Sequence, residues 1–532
     1  MRFDDVLEEI GGFGYFQKFV FVLSCIPGLF AGFFMLNPVF LLAVPNHRCE
    51  IPGYDNDTYK IQNIEHEDLI NKYIPTSDDY DYNRCYVDLV CDKEIWVANA
   101  EMIFYFGMLV GSLASGIIAD VYGRKPVVYG AVVLMTASSI VLSWAHEYWL
   151  FCVIEFILGA AVVAAFMPAY IITIEITCAK KRIWPGVISD FPYVAGLLVL
   201  SGVAYWLKDW FKIQLYTSLP CVILLSYWWL IPESPRWLLT KGRVKEAEVA
   251  IRRMARWNKT KVPDKMFDEK TLEEDIDKDS SFVKLFNTRK QLFRTCVIFF
   301  NWAVVAMTYF GLALNSENLN GNLYLNFAIS GLVEIPAYII VILLVDRVGR
   351  RRLYCVMMIL GGLCCASTIF SIEYEPKGSD VLTISLSMTG RLCVTSAYCV
   401  AYIHSAELFP TVVRTAGLGA ASLFARLGTM VAPYIVVWGE SYDGTMREAL
   451  PLLIFGIVSL ISGFMSLMLP ETLNTHLPDT VQDGDRFGRS GAFYFVRSIR
   501  RHQDEVERSY NNGLYESERE LLLSSDRTTL KS

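Results

Sequence analysis

Residues 119–127 read ADVYGRKPV and residues 345–353 read VDRVGRRRL. Both spell the same phrase: an acid, two residues, Gly, Arg and a further basic residue. Each copy follows a long apolar run, so each reads as a charged turn between two helices. Glycine permits a tight turn, and clustered Lys/Arg hold such a turn on the inner side of a membrane. Asp120 and Asp346 then stand at helix ends, ready to pair with a basic group of the same or the other half. The phrase predicts a contact made when the inner side closes, with Asp120, Gly123, Arg124, Asp346, Gly349 and Arg350 as its members.

Working outward, the repeat extends beyond the phrase. Gly123 and Gly349 are 226 residues apart. Glu175 in TIEITCAKKR and Glu407 in SAELFPTVVR are 232 apart, and Pro232 in IPESPRW and Pro470 in LPETLN are 238 apart. Three paired signals in one order at nearly one offset indicate two copies of one unit in parallel orientation.

The units are membrane-spanning. The chain has 532 residues, 53% hydrophobic and 19% charged, and its charge is crowded into a few segments. A spanning helix needs about 20 apolar residues. Twelve runs qualify: 19–44, 96–118, 127–145, 149–172, 186–206, 214–231, 292–312, 323–345, 353–371, 381–404, 415–437 and 447–469. The expected fold is an all-α membrane protein of the major facilitator type, with about 12 transmembrane helices in two six-helix repeats. The expected organisation is an N-terminal segment 1–18, a first half 19–231, a linker 232–291, a second half 292–469 and a tail 470–532. The acidic N-terminus and the length of the first run argue against a cleavable signal peptide.

Charge sets the sidedness. Loop 45–95 carries five Lys/Arg against twelve Asp/Glu, whereas 236–294 carries sixteen Lys/Arg. Both termini, the two phrases and the linker are therefore expected in the cytoplasm, with loop 45–95 outside. That loop holds Cys49, Cys85 and Cys91, which allow one disulfide of open pairing, and the glycosylation sequon at Asn56. A second sequon at Asn258 falls on the cytoplasmic side and is expected to stay bare. The linker reads as an amphipathic helix, GRVKEAEVAIRRMARW, followed by the acidic stretch DEKTLEEDIDKD. In the tail, 518–523 fits an acidic dileucine address.

GRK after the second run, PESPRWLL after the sixth and PET after the twelfth resemble the major facilitator superfamily. FDDVLEEIGGFGYFQK, the Cys-bearing outer loop, LVEIPAY, DRVGRR, AELFPTVVR and LPDT resemble solute carrier family 22, from residue 1 to about residue 482. ARLGTMVAPY at 425–434 is most similar to the carnitine/zwitterion branch. The resemblance implies a plasma-membrane carrier of small organic cations, zwitterions or anions that works without a cofactor. It also implies sodium or proton coupling as an option. The sequence shows no catalytic constellation, no metal-spaced Cys/His set and no nucleic-acid motif.

Charges inside apolar runs cost about 2.5–3.5 kcal/mol each at a helix centre, so they are candidates for function. Glu334, beside Pro336 in GLVEIPAY, is expected either to recognise substrate or to form an internal salt bridge. Arg426 is expected to meet a substrate carboxylate or an acid such as Glu334. Glu101, Glu155 and Asp190 depart from the family pattern and shift the interior toward negative charge, and Glu101 joins Glu334 as an acid expected to meet a substrate's positive group. That shift favours a cation or zwitterion over an organic anion, the alternative carrier; a non-transporting receptor on the same fold is the further one. Phe166, Tyr193 and Tyr309 match positions that line the family's cavity. Glu175, Glu407 and Arg414 read as gate or structural pairs, and His404 as a hydrogen-bonded core histidine. The small residues of FGMLVGSLASG should let helices approach closely.

Overall fold

The computed structural model describes residues 3–42, 94–178, 181, 185, 188–260, 288–316, 322–374, 381–410, 413–440, 442 and 445–475. Asn56, Cys49, Cys85, Cys91 and the dileucine stretch lie outside the described residues. Among the described residues all regular structure is helical. After a short α1 (Phe3–Glu9) come α2 (Tyr15–Leu41), α3 (Glu94–Tyr122), α4 (Arg124–Leu142), α5 (Tyr148–Glu175), α6 (Phe191–Leu207) and α7 (Trp210–Leu230). Two linker helices follow, α8 (Pro235–Thr240) and α9 (Val244–Asn258). The second set is α10 (Arg289–Leu314), α11 (Leu323–Val348), α12 (Arg350–Tyr374), α13 (Val381–Leu408), α14 (Arg414–Glu440) and α15 (Thr445–Ser466).

Ten of these are long and apolar enough to cross a membrane. The other two expected spans are α6 and α13. α6 starts at Phe191, later than the apolar run, because Pro192 occupies its first turn, where a missing N–H costs least. α13 has 28 residues, about 42 Å at 1.5 Å per residue, but Ser and Thr dilute its hydropathy. α11 is broken at Val333 into Leu323–Leu332 and Glu334–Val348. Pro336 explains the break, since it offers no N–H to the Leu332 carbonyl and its ring crowds that turn.

Packing repeats with the sequence. α2 packs on α6 as α10 packs on α14, and α3 on α5 as α11 on α13. The halves meet through α3 with α14 and through α6 with α11, two contacts that the repeat exchanges. Close approach rests on the small residues: a Cβ on Gly107 would collide with the Phe156 backbone of α5, and one on Gly111 with Ala160.

The two phrases fold identically. Gly123 and Gly349 have φ of +108° and +99°, a region that only glycine enters without strain. Arg124 pairs with Asp120 at 3.0 Å and Glu175 at 3.3 Å; Arg350 pairs with Asp346 at 3.0 Å and Glu407 at 3.0 Å. Glu233 Oε1 accepts from the backbone N–H of Arg124 at 2.9 Å, and Glu471 Oε1 from that of Arg350 at 2.8 Å. Each carboxylate thereby caps the N-terminus of the helix after the phrase, where unpaired N–H groups and the helix dipole favour an anion. The glycine is required twice over, because a Cβ at Gly349 would lie 2.7 Å from Glu471 Oε2 and one at Gly123 would meet Glu233. All of these partners lie in the phrase's own half or in the segment that directly follows it. Arg414 stands apart from the Arg350 pairs and donates from Nε to the Phe409 carbonyl at 3.4 Å.

α9 is amphipathic, burying Ala247, Ile251, Met254 and Ala255. Its Asn258 fastens it to the chain start: the side chain accepts from Phe16 N–H at 3.0 Å and donates to the Ile10 carbonyl at 2.8 Å. The carboxamide of the second sequon is thus occupied by the protein itself.

Candidate substrate site between the halves

The break in α11 places Glu334 at the first position of a helix deep in the second half, fully buried. A buried carboxylate must be paired and hydrogen-bonded. Arg391 of α13 meets its Oε1 at 2.6 Å, with side-chain exposures of 2% and 0% for the two partners. The Tyr309 hydroxyl of α10 donates to Oε1 at 2.7 Å and the Tyr338 hydroxyl to Oε2 at 3.2 Å. Arg391 spends its remaining donors on the carbonyls of Ser330 at 3.2 Å and Tyr309 at 2.9 Å, and its guanidinium lies 4.8 Å from the Tyr309 ring centre. Of the two expected roles for Glu334, the internal pair is therefore present, with Arg391 as its partner. Tyr309 is a ligand of that pair as well as a ring facing the centre.

Aromatic rings continue from Tyr309. Tyr309 lies 5.6 Å from Tyr398, Tyr398 5.6 Å from Tyr402, and Tyr402 4.4 Å from Trp302. Trp302 is fully buried and donates from Nε1 to Ser405 at 2.8 Å. From the first half, Phe191 comes within 5.8 Å of Tyr338. Asp190, partly exposed, stands at the N-cap position of α6 without a side-chain capping bond and lies within electrostatic reach of Glu334, Tyr338, Tyr398 and Tyr402. Tyr193, one turn further, is within reach of Glu334 and Arg391.

A second group gathers around the hydroxyl of Tyr105 on α3. Glu101, Glu155, Tyr193 and Arg426 all lie within its electrostatic reach. Glu101 is 8% exposed, Glu155 3% and Arg426 9%. Among the described residues, Glu155 Oε2 and Arg426 Nε are buried without a hydrogen-bond partner. Tyr105 also bridges the halves, its ring 5.4 Å from Phe310. Phe166 stays with the first half, its ring facing Gly28 of α2 and stacked on Tyr170 at 6.2 Å. His404 lies outside this site, buried with Nε2 3.1 Å from the Pro470 carbonyl, a bond that requires the ring nitrogen to donate.

The structure thus brings Glu101, Tyr193, Tyr309, Glu334 and Arg426 to the seam between the halves, with Glu155 and Asp190. Sequence reasoning missed Arg391, Tyr398, Tyr402 and Trp302. Arg391 carries a signal that could have found it, a charge in the middle of the apolar stretch SMTGRLCV.

Comparison with known proteins agrees with this architecture. The model of the sugar (and other) transporter family matches residues 51–481. An organic cation transporter protein of Drosophila melanogaster is 36% identical, over 92% of this chain and 96% of its own. Organic cation/carnitine transporter 2 of Homo sapiens is 30% identical over 90% and 93%, and solute carrier family 22 member 21 of Mus musculus 31% over 91% and 93%. Among solved structures, the inward open conformation of the xylose transporter XylE from E. coli superposes with a TM-score of 0.63 at 15% identity, covering 89% of this chain and all of that one. Matches of this length and identity, on a fold of two six-helix repeats, make the chain a member of the sugar (and other) transporter family in the major facilitator superfamily, alongside the solute carrier family 22 proteins.

Proposed function

We propose that the chain moves small organic cations or zwitterions, amines or carnitine-like molecules, across the plasma membrane by alternating access between its halves. The observation that carries the reading is the charge balance of the seam. Glu334 and Arg391 cancel each other, and among the described residues of the seam the acids Glu101, Glu155 and Asp190 then stand with one further cation, Arg426. An ammonium group would meet Asp190 and the faces of Tyr338, Tyr398 and Tyr402, each ring contributing about 0.5–2 kcal/mol. A carboxylate would meet Arg426, whose buried Nε it would satisfy bidentately. Tyr193, Tyr309 and Phe166 would hold the apolar body. Glu334 acts in this reading by keeping Tyr309 and Arg391 in place. The names of the relatives, which are organic cation and cation/carnitine transporters, support the same class. Both termini and both phrases face the cytoplasm in this scheme, and membrane potential, sodium or protons drive accumulation.

The test is uptake of labelled tetraethylammonium, carnitine and an aromatic carboxylate by cells expressing the full chain, with and without sodium. An acid about 4 Å from an amine gives about 4 kcal/mol at an effective dielectric of 20, most of it offset by desolvation. Asp190→Asn should therefore lower tetraethylammonium uptake by about tenfold. Arg426→Gln should lower carnitine uptake and spare tetraethylammonium. Carboxylate uptake that survives Asp190→Asn and vanishes in Arg426→Gln would make the chain an anion carrier. Uptake no greater than in mock cells for every compound would make it a non-transporting receptor.

A further inference from the structure

Away from the seam, a cleft of about 480 Å³ opens on the face that carries the two phrases. It lies beneath the first half, between the start of α4, the end of α7 and the amphipathic α9. Its walls combine cations with exposed large side chains: Lys125, Arg243 and Arg253 with the rings of Tyr122 and Trp229 and the aliphatic Val249. Tyr122 is 70% exposed, Trp229 73% and Val249 68%. Aromatic rings at the ends of spanning helices belong at the level of lipid headgroups, so the mouth of the cleft sits at the membrane surface.

The acids on its walls are already engaged. Glu246 is held by Arg243 through two bonds of 2.7 Å, and Glu233 caps α4 through backbone N–H groups. Lys125 extends over the Trp228 ring at 5.1 Å. Among the described residues neither the Lys125 ammonium nor the Arg253 guanidinium has an acidic partner. Two uncompensated cations at headgroup depth, beside exposed aromatic walls, complement a phosphate joined to acyl chains.

We propose that this cleft binds the headgroup of an acidic phospholipid from the leaflet on the phrase-bearing side. Lys125 and Arg253 take the phosphate, and Trp229 and Tyr122 border the first part of an acyl chain. Occupancy would tie α9 to the turn that holds Gly123 and Glu233, so lipid composition would reach the phrase of the first half directly.

Purified full-length protein in detergent is titrated with dioleoylphosphatidylserine, and bound lipid is counted by native mass spectrometry. The lipid should bind in preference to dioleoylphosphatidylcholine. Lys125→Gln and Arg253→Gln should each weaken binding about fivefold, the worth of one juxtamembrane cation. Trp229→Ala should weaken it without a change of charge. The control Arg236→Gln/Lys245→Gln, basic residues outside the cleft, should bind as the native chain does. Native-like binding by Lys125→Gln/Arg253→Gln, or an equal loss in the control, overturns the proposal. Displacement of the lipid by an equal concentration of glycerophosphoserine overturns it too, because the site would then recognise a free phosphate and not a membrane.

Discussion

Arg391 is the residue on which the second half's interior depends. It faces a carboxylate with no exposure to solvent and also fixes two backbone carbonyls. Removing one partner of a buried pair costs about 3–5 kcal/mol, whereas removing both charges together is often tolerated. Arg391→Gln should therefore lower the thermal unfolding temperature of the purified protein more than the double variant Glu334→Gln/Arg391→Gln does. Equal losses in the two would show that Arg391 acts by packing alone. Each member of this pair is visible in the sequence as a charge inside an apolar run. Their partnership is not, because it depends on how α11 packs on α13 across 57 residues of chain. For the same reason Arg426 and Glu334, matched on charge alone, turn out to have different neighbours: Arg426 stands with Tyr105 and Glu334 with Arg391. Asp190 shows the reverse case. It reads as a charge inside the fifth apolar run, and the structure puts it instead at the start of α6, within electrostatic reach of Glu334.

At the level of elements, α4 and α12 are capped by equivalent carboxylates in unequal surroundings. Burial pushes the Glu233 carboxyl above its ordinary range, and the backbone N–H bonds it accepts only partly offset this. Burial acts on Glu471 as well, but N–H groups of Thr472, Arg351, Arg352 and Arg350 outweigh it and hold the carboxyl below its ordinary range. An acid with a depressed value stabilises the fold at neutral pH and loses that contribution as pH falls through the depressed value. One with a raised value contributes fully below its unfolded value and loses the contribution as pH rises through the raised one. Glu471→Gln should then lower the unfolding temperature at neutral pH more than Glu233→Gln does. The gap should close only as pH falls through the depressed value of Glu471, below the ordinary carboxylate range, where both carboxyls are protonated. A gap that is absent at neutral pH, or reversed, would refute the assignment. The duplicated phrase announces both turns in the sequence, and its glycines announce the backbone. The capping acids are less legible, since Glu233 and Glu471 lie more than 100 residues from the turns they close.

Across the whole molecule, the halves are joined on the face opposite the phrases. Tyr434 donates to Asn99 at 2.8 Å, Ser201 donates to the Tyr324 carbonyl at 2.7 Å, and Phe40 stacks on Tyr324 at 5.7 Å. Among the described residues the charged groups of the phrases pair only within their own half. A hydrogen bond contributes about 0.5–1.5 kcal/mol, so Tyr434→Phe or Ser201→Ala should raise the share of molecules open on the joined face by about two- to tenfold. Fluorophore distances across that face in the purified protein read this share directly, and an unchanged distribution in both variants would count against those contacts as a latch. The repeat made the pairing of helices legible. Which face is joined was not, because it follows from a balance of a few contacts between elements far apart in the chain. The self-contained phrases also bear on ancestry. A genetic crossover within residues 261–287 would hand each daughter two complete turn assemblies, Arg124 with Glu175 and Glu233, and Arg350 with Glu407 and Glu471. Only the walls of the seam would meet strangers, so recombination between such genes could reshuffle cargo preference while leaving the hinged machinery of each half as it was inherited.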